Sequence, residues 1–328
     1  MLRLITVVLA MSALIFSLVY AETLSAQPRV IDPESQSETT PFVRHSRRVP
    51  LGYGRLLSND LIGDGQDRWR TGSVTMSRAW GYEWTGQAPS GLGQLLETRF
   101  QGQIFAPDNL SAVDPLDRPY AGALSLGLHT HASNRGFDYT LGADLVIVGP
   151  QTNLDDLQRG VHKLLNKQGA SAGVLATQIG DTLRPTAVGE IGRTYKVGAA
   201  VEFRPFGEAR VGDETLVRVG ADFLFGQVGV GELFARESVT GQRYRVIYQS
   251  DPGYSLTLGA DMAYVSDSVY LPESRGYTLT DRRDRVRAGV NWQGKGASAF
   301  YGLTWLGREF AGQPEGQVVG SLRIKLRF

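Results

Sequence analysis

The sequence predicts an all-β fold: an antiparallel transmembrane β-barrel of roughly twelve strands with a short helix in one outer loop. Three observations carry that prediction. From Tyr53 onward, segments of about ten residues alternate apolar and polar side chains, longer than the five or six of an ordinary strand and matched to the roughly 9 to 11 that cross a bilayer at a tilt. After the N-terminal leader no apolar run reaches the length of about 18 residues that a membrane helix needs. The last amphipathic segment closes the chain on an aromatic residue, Phe328.

The first element is the leader itself. Arg3 precedes an apolar run from Leu4 to Tyr20, and Val19 and Ala21 suit a cleavage site, so residues 1–21 read as a secretory signal peptide; a second cleavage point follows Ala26. Residues 22–50 are polar, contain Pro28, Pro33 and Pro41, and lack periodicity, which predicts a flexible periplasmic segment. The barrel is expected over 51–328. Composition excludes other classes: a net charge of +1 offers no basic surface for nucleic acid, and the absence of Cys removes thiol catalysis and cysteine zinc sites.

The strand segments follow in order: 70–80, 92–105, 120–131, 137–148, 196–206, 216–226, 254–265, 285–293, 297–307 and 317–328, with two weaker ones at 182–194 and 234–248. In the last, Val318, Leu322, Ile324, Leu326 and Phe328 share one face while Arg323, Lys325 and Arg327 take the other, as expected for a strand between lipid and a polar lumen. With both termini in the periplasm, the first, third and fifth connections face outward. These are Ser58–Thr71, Ala106–Pro119, and the stretch that begins at Gly149.

That fifth connection, GPQTNLDDLQRGVHKLLN, is where helical spacing replaces alternation. Asn153 is the candidate N-cap, and Asp155 and Asp156 sit in the first turn, where the helix dipole favours negative charge. Leu154, Leu157, Val161, Leu164 and Leu165 form a stripe expected to pack on a surface, with Gln158 and His162 four apart at its margin. Taken alone, this is a capped helix on the rim with a surface His. Its company points to chemistry: Asn59 and Asp60 end the first strand and Thr71 begins the second. A carboxylate beside amide and hydroxyl oxygens suits a hard cation such as Ca2+. A neutral His suits general-base attack of water, and a cation beside it would polarise an ester carbonyl. Asp64 and Asp67 read as residues of a solvated Asp/Gly loop.

The chain resembles the LpxR-type outer-membrane lipid A 3′-O-deacylase family. The resemblance rests on SNDLIGDGQDRWRTG (58–72), IFAPDNL (104–110), DRPYAG (117–122), VIVGP (146–150), LQRGVHKLLN (157–166), LGREFAGQ (306–313) and LRIKLRF (322–328), in that order. It implies a twelve-stranded barrel with the active site between the wall and an extracellular helix, and a calcium-dependent hydrolase that frees an ester-linked acyl chain by a His and a water. The family's Asn-Asp pair falls on Asn59 and Asp60, its Thr on Thr71, and its Gln and His on Gln158 and His162. Asp60 and Asn59 are thereby implied as ligands of Ca2+, with lipid A or lipopolysaccharide as substrate at the outer leaflet of a Gram-negative outer membrane. No Lys stands between Ala106 and Pro119, where characterised members can carry one, and Arg118 is the cation available there. Two other readings fit the same pattern: a non-catalytic barrel or narrow pore, and an outer-membrane phospholipase.

Overall fold

A computed structural model of the chain describes residues 46–198, 200–249 and 251–326. The signal peptide and nearly all of the expected leader lie outside the described residues. The wall is built from β1 (Val49–Asn59), β2 (Trp69–Gly81), β3 (Leu95–Ala106), β4 (Ala121–Asn134), β5 (Phe137–Val148), β6 (Thr182–Gly192), β8 (Val201–Val211), β9 (Glu214–Gly226), β12 (Gly253–Ser268), β13 (Arg283–Gln293), β14 (Ala297–Leu306) and β15 (Gln317–Leu326). All pairings are antiparallel between neighbours, β1 pairs with β15, and β6 pairs with β8, so these strands close into a barrel. Closure leaves no unpaired edge, the condition for a sheet in lipid.

Side-chain alternation explains the closure. Along β13, Arg283, Arg285, Arg287, Asn291 and Gln293 are buried while Val286, Val290 and Trp292 are exposed on the other face. In β15, Arg323 is buried and Ile324 and Leu326 are exposed, as the sequence predicts; Arg327 and Phe328 fall outside the described residues. The exposed apolar face is the lipid belt. Tyr254 and Trp292 stand opposite each other near one end of it, and Tyr264 and Trp305 lie toward the other, positions suited to membrane–water boundaries.

The strand total agrees with expectation, but its membership differs. Residues 234–248 contribute no wall strand. They form a separate hairpin, β10 (Leu233–Arg236) with β11 (Arg243–Ile247), inside the barrel against β1. Glycine permits this approach: a Cβ on Gly52 would lie 2.2 Å from the carbonyl oxygen of Val246, and one on Gly54 2.7 Å from that of Arg245. The segment expected at 196–206 is also divided, since β7 (Tyr195–Val197) pairs with β8 beside the wall and the wall strand starts at Val201. Alternation alone cannot separate a wall strand from a hairpin that packs on it, because both present one face to the same interior.

The lumen is filled by this hairpin and by charge pairs. Asp261 accepts from Arg218 at 2.5 Å and Arg285 at 2.9 Å and also pairs with Arg287; Arg236 on the hairpin joins Glu190 at 2.6 Å and Asp222 at 2.8 Å. The connections β1–β2, β3–β4 and β5–β6 emerge at one end of the barrel, together with β8–β9, β12–β13 and β14–β15. The β5–β6 connection carries α1 (Leu154–Leu165) and α2 (Ala172–Ala176).

Candidate active site

Asn59 closes β1 in extended conformation (φ −157°) and caps the single 3-10 turn Asp60–Ile62. Its Oδ1 accepts from the Leu61 amide at 2.8 Å, and its Nδ2 donates to the Thr71 carbonyl at 2.7 Å. The side chain therefore straps the end of β1 to the start of β2. Asp60, the first residue of the turn, is fully buried. Its Oδ2 accepts from the Arg68 amide at 2.7 Å and its Oδ1 from the Thr71 hydroxyl at 3.1 Å. Thr71 sits at a bulge, where the pairing of β2 with β3 skips from Arg70 to Gly72. Such a bulge re-aims one side chain without breaking the sheet. Arg70 points inward to Glu309 and Glu214, while the Thr71 hydroxyl turns to Asp60 and Asp67. Just before it, Trp69 holds φ +53°, fixed by burial, by an Nε1 hydrogen bond to Asp117 at 3.2 Å and by the Arg68 guanidinium 4.1 Å over its ring.

α1 reaches this group from the outer side of the wall. Ala121 and Ala123 belong to the inner apolar cluster, so Gly122 between them presents the outer surface. A Cβ there would lie 2.5 Å from Thr152 Oγ1 and 3.0 Å from Leu154 Cβ, so glycine lets the helix start rest directly on β4. The helix departs from expectation at both its cap and its face. Asn153 does not cap through its side chain; it adopts the left-handed conformation (φ +53°) that closes the preceding turn Pro150–Thr152. The inward stripe is Leu154, Gln158 and His162, whereas Leu157 and Leu164 are exposed, at 44% and 75%. The helix thus buries its polar margin against the rim and turns two leucines outward. The sequence stripe was broad enough to fit either rotation.

His162 is 4% exposed and held at both ring nitrogens. Nδ1 lies 2.8 Å from the Gln168 carbonyl oxygen and Nε2 2.7 Å from Asp67 Oδ2. Asp67 Oδ1 accepts from the Thr71 hydroxyl at 2.5 Å and stands 3.5 Å from Gln158 Nε2. Thr71, Asp60, Gln158 and His162 therefore converge, with Asn59 bracing the turn beneath them. Asp67, read from the sequence as a solvated loop residue, is the centre of the group, and the Gln168 carbonyl is a second partner the sequence does not disclose. Nothing in the loop's composition separates Asp67 from Asp64, which instead binds the Val318 amide at 3.0 Å and pins the loop to β15.

The electrostatics of these groups differ. Burial pushes the Asp60 carboxyl up to about 8, with the charges of Asp67 and Asp64 adding to the effect against the Arg68 amide and Thr71 hydroxyl. Burial also raises Asp67, but hydrogen bonds from His162 and Thr71 and the charges of His162 and Lys167 bring it below the ordinary Asp value. Burial lowers His162, and Asp67 outweighs it, leaving the imidazole above its usual value. Arg118 does not join this site: it is buried, donates to Glu309 Oε2 at 2.7 Å and lies 4.8 Å over the Phe105 ring.

A divalent cation is testable against these donors. Among the described residues no three His, Cys, Asp or Glu side chains gather closely enough to cage a metal ion. Two carboxylates do share one hydroxyl, Asp60 and Asp67 about Thr71 Oγ1. Among the described residues Asp60 has no Arg or Lys ion pair, and the buried Tyr120 hydroxyl, whose strongest charge influences are Asp155 and Asp67, has no hydrogen-bond partner. Carboxylate oxygens with no protein cation beside them fit a hard cation that keeps part of its water shell. The Asn59 amide, bonded to backbone at both ends, fits as a brace for that donor set.

A closed, lipid-belted barrel with a polar site outside its wall defines an outer-membrane β-barrel protein. The family model described as outer membrane protein LpxR matches residues 9–328, and the chain belongs to that family. The solved LpxR from Salmonella typhimurium has the same fold, with a TM-score of 0.70 and 18% sequence identity over 84% of this chain and 100% of that one. The β domain of the Bordetella autotransporter BrkA (14% identity, 86% of this chain and 100% of that one) and an outer membrane channel from Pseudomonas putida F1 (13%, 90% and 98%) reach TM-scores of only 0.38 and carry no argument. No curated protein matches the sequence.

Proposed function

We propose that the chain is a calcium-dependent ester hydrolase of the outer leaflet that removes a 3′-linked acyl chain from lipid A. The observation that supports this most is the meeting of His162 with Asp67, Thr71 and Asp60 on the outer side of the wall, beneath the helix that faces the lipid side of the barrel. Family membership and the motif resemblance supply lipid A as the substrate class and the outer leaflet as the place.

The Gln168 carbonyl fixes a proton on His162 Nδ1, so Nε2, which donates to Asp67 in this structure, is the nitrogen that would take a proton from attacking water when Asp67 is displaced and Nε2 is unprotonated. The Thr71 hydroxyl, whose single proton points to Asp67 and Asp60 in this structure, would serve the developing oxyanion when those carboxylates are engaged by a cation. Gln158, one turn before His162, orients the imidazole or the substrate through its amide. Asp60 and Asp67 would hold Ca2+, which when bound supplies a Lewis acid for the ester carbonyl. Asn59 keeps Asp60 and Thr71 in register.

Mass spectrometry of lipid A from cells expressing the protein tests this. The expected result is loss of a 3′-linked acyl chain, with a fall of about 10²–10⁴ in rate for His162→Ala. Intact lipid A together with released glycerophospholipid acyl chains would transfer the reading to a phospholipase. Intact lipids with ion conductance in planar bilayers would transfer it to a pore, a reading that the filled lumen does not favour.

A further inference from the structure

His162 has one nitrogen suited to base chemistry, and a carboxylate covers it. A carbonyl oxygen only accepts, so the 2.8 Å contact to Gln168 makes Nδ1 a donor; the Asp67 carboxylate likewise only accepts, so Nε2 donates to it and is the nitrogen left to face the reaction once Asp67 is gone. Asp67 Oδ2 lies 2.7 Å from that nitrogen. Water cannot donate to Nε2 while Asp67 is there. The other oxygen of Asp67 shares the Thr71 hydroxyl with Asp60, at 2.5 Å and 3.1 Å, so a small rotation of the carboxylate exchanges the imidazole for the neighbourhood of Asp60. What opposes that rotation is the loss of the His162 pair and the cost of ionising Asp60 beside Asp67, which a cation would offset.

We infer that Asp67 is a two-position carboxylate that couples cation binding to exposure of the base: it turns from His162 Nε2 to a divalent cation shared with Asp60, Nε2 releases to solvent the proton it had donated to Asp67, and the turn leaves that nitrogen free to accept from water. This deepens the hydrolase reading above and rests on it. Two features of the site suit the exchange. Gln158 Nε2 lies 3.5 Å from Asp67 Oδ1, too far for a strong bond, so it offers little resistance to the movement. The Tyr120 hydroxyl, buried and without a hydrogen-bond partner among the described residues, is a spare donor within the electrostatic reach of Asp155 and Asp67. Asp67 acts through His162 and is a positioning residue. Its loss should therefore change how the imidazole responds to the cation as well as the rate.

The chain has four histidines, so ring signals of the 15N-histidine-labelled full-length protein in detergent micelles can be assigned with His162→Gln. Ca2+ titration followed by NMR and by calorimetry is the test. The expected result is a Ca2+-dependent shift of the His162 ring nitrogens in the parent protein. Asp67→Asn should abolish that shift and weaken Ca2+ binding by roughly 10–100-fold, the range of effects seen for groups that position metal ligands. Asp64→Asn, at a carboxylate tied to β15, should keep both within about threefold. A His162 signal unmoved by saturating Ca2+, unweakened Ca2+ binding in Asp67→Asn, or no Ca2+ binding to the parent protein would each overturn the inference. Acyl release from lipid A, measured on the same samples, separates the two claims. Release without a His162 response removes the switch and keeps the hydrolase. A response without release keeps the switch and removes the hydrolase.

Discussion

Two buried carboxylates at the same end of the barrel, Glu309 and Asp60, are pushed in opposite directions. Glu309, in the loop between β14 and β15, accepts from Arg70 at 2.5 Å and Arg118 at 2.7 Å and lies 3.5 Å from Arg283. Burial would raise its carboxyl, but those guanidinium groups bring it down to about 2. Asp60, only a few residues of chain from Arg70, is buried at least as deeply and meets no guanidinium; it rises to about 8. The inner side of the rim is neutralised by the protein's own cations and serves as a plug. The outer side has no such cation, so ionising Asp60 there costs stability, the usual mark of a site that expects a charged visitor.

The largest effect expected from this contrast is structural, at Glu309. Glu309→Gln leaves Arg118 buried without its carboxylate and should cost about 3–5 kcal/mol, the range for breaking one side of a buried ion pair. The pH dependence has a definite sign. Because folding lowers the Glu309 value from 4.5 to about 2, its contribution is complete above about 4.5 and fades as pH falls toward about 2. Asp60 runs the other way. Folding raises it from 3.8 to about 8, so its ionisation erodes stability as pH rises through that interval. Urea unfolding of the parent protein and Glu309→Gln in vesicles, followed from acid to neutral pH, measures the first trend. Equal stability of the two proteins at neutral pH would break the contrast.

The second effect is on chemistry. Asp60→Asn removes a buried carboxyl whose ionisation folding opposes, so it should leave stability unchanged or slightly higher while Ca2+ binding is lost. Acyl release should fall by about 10²–10³, the cost of removing one transition-state stabiliser. Stability and activity then move apart, opposite to what a structural carboxylate would give. Calorimetry with Ca2+ and chemical denaturation on one preparation check both halves; a loss of several kcal/mol with activity intact would make Asp60 a second Glu309.

How much of this could be read from the chain follows from which forces act locally. Strand identity was legible because lipid on one side and a polar lumen on the other impose a period of two, visible in Arg323, Ile324 and Leu326. The hairpin at 233–247 was not, since its partners on β1 are distant in sequence. Strand parity put the loops bearing Asn59, Asp60, Thr71 and His162 at one end, which the topology bears out. The rotation of α1 was hidden because its orientation is set by Gly122 and by the His162–Asp67 contact, both of which depend on packing between elements. Asp67 was hidden for the same reason: four aspartates, at 60, 64, 67 and 117, serve this corner, and only the fold divides them among a partner for Thr71, a tie to β15, a partner for His162 and a tie to Trp69.

The smallest effect bears on what Asn59 does. If its amide only straps β1 to β2, Asn59→Ala should cost about 1 kcal/mol, as for the loss of a helix cap, because two backbone partners at 2.8 Å and 2.7 Å lose one side chain. Asn59→Asp separates the strap from a metal ligand. A carboxylate at 59 still accepts from the Leu61 amide, but it cannot donate to the Thr71 carbonyl and faces it with like partial charge. A strap thus predicts weaker Ca2+ binding in Asn59→Asp, through looser spacing of Asp60 and Thr71. A ligand predicts the reverse, since a charged oxygen binds Ca2+ better than an amide oxygen. Calorimetric Ca2+ affinities for the two variants and the parent protein decide between them, and tighter binding by Asn59→Asp would move Asn59 from the frame of the outer site into its cation shell.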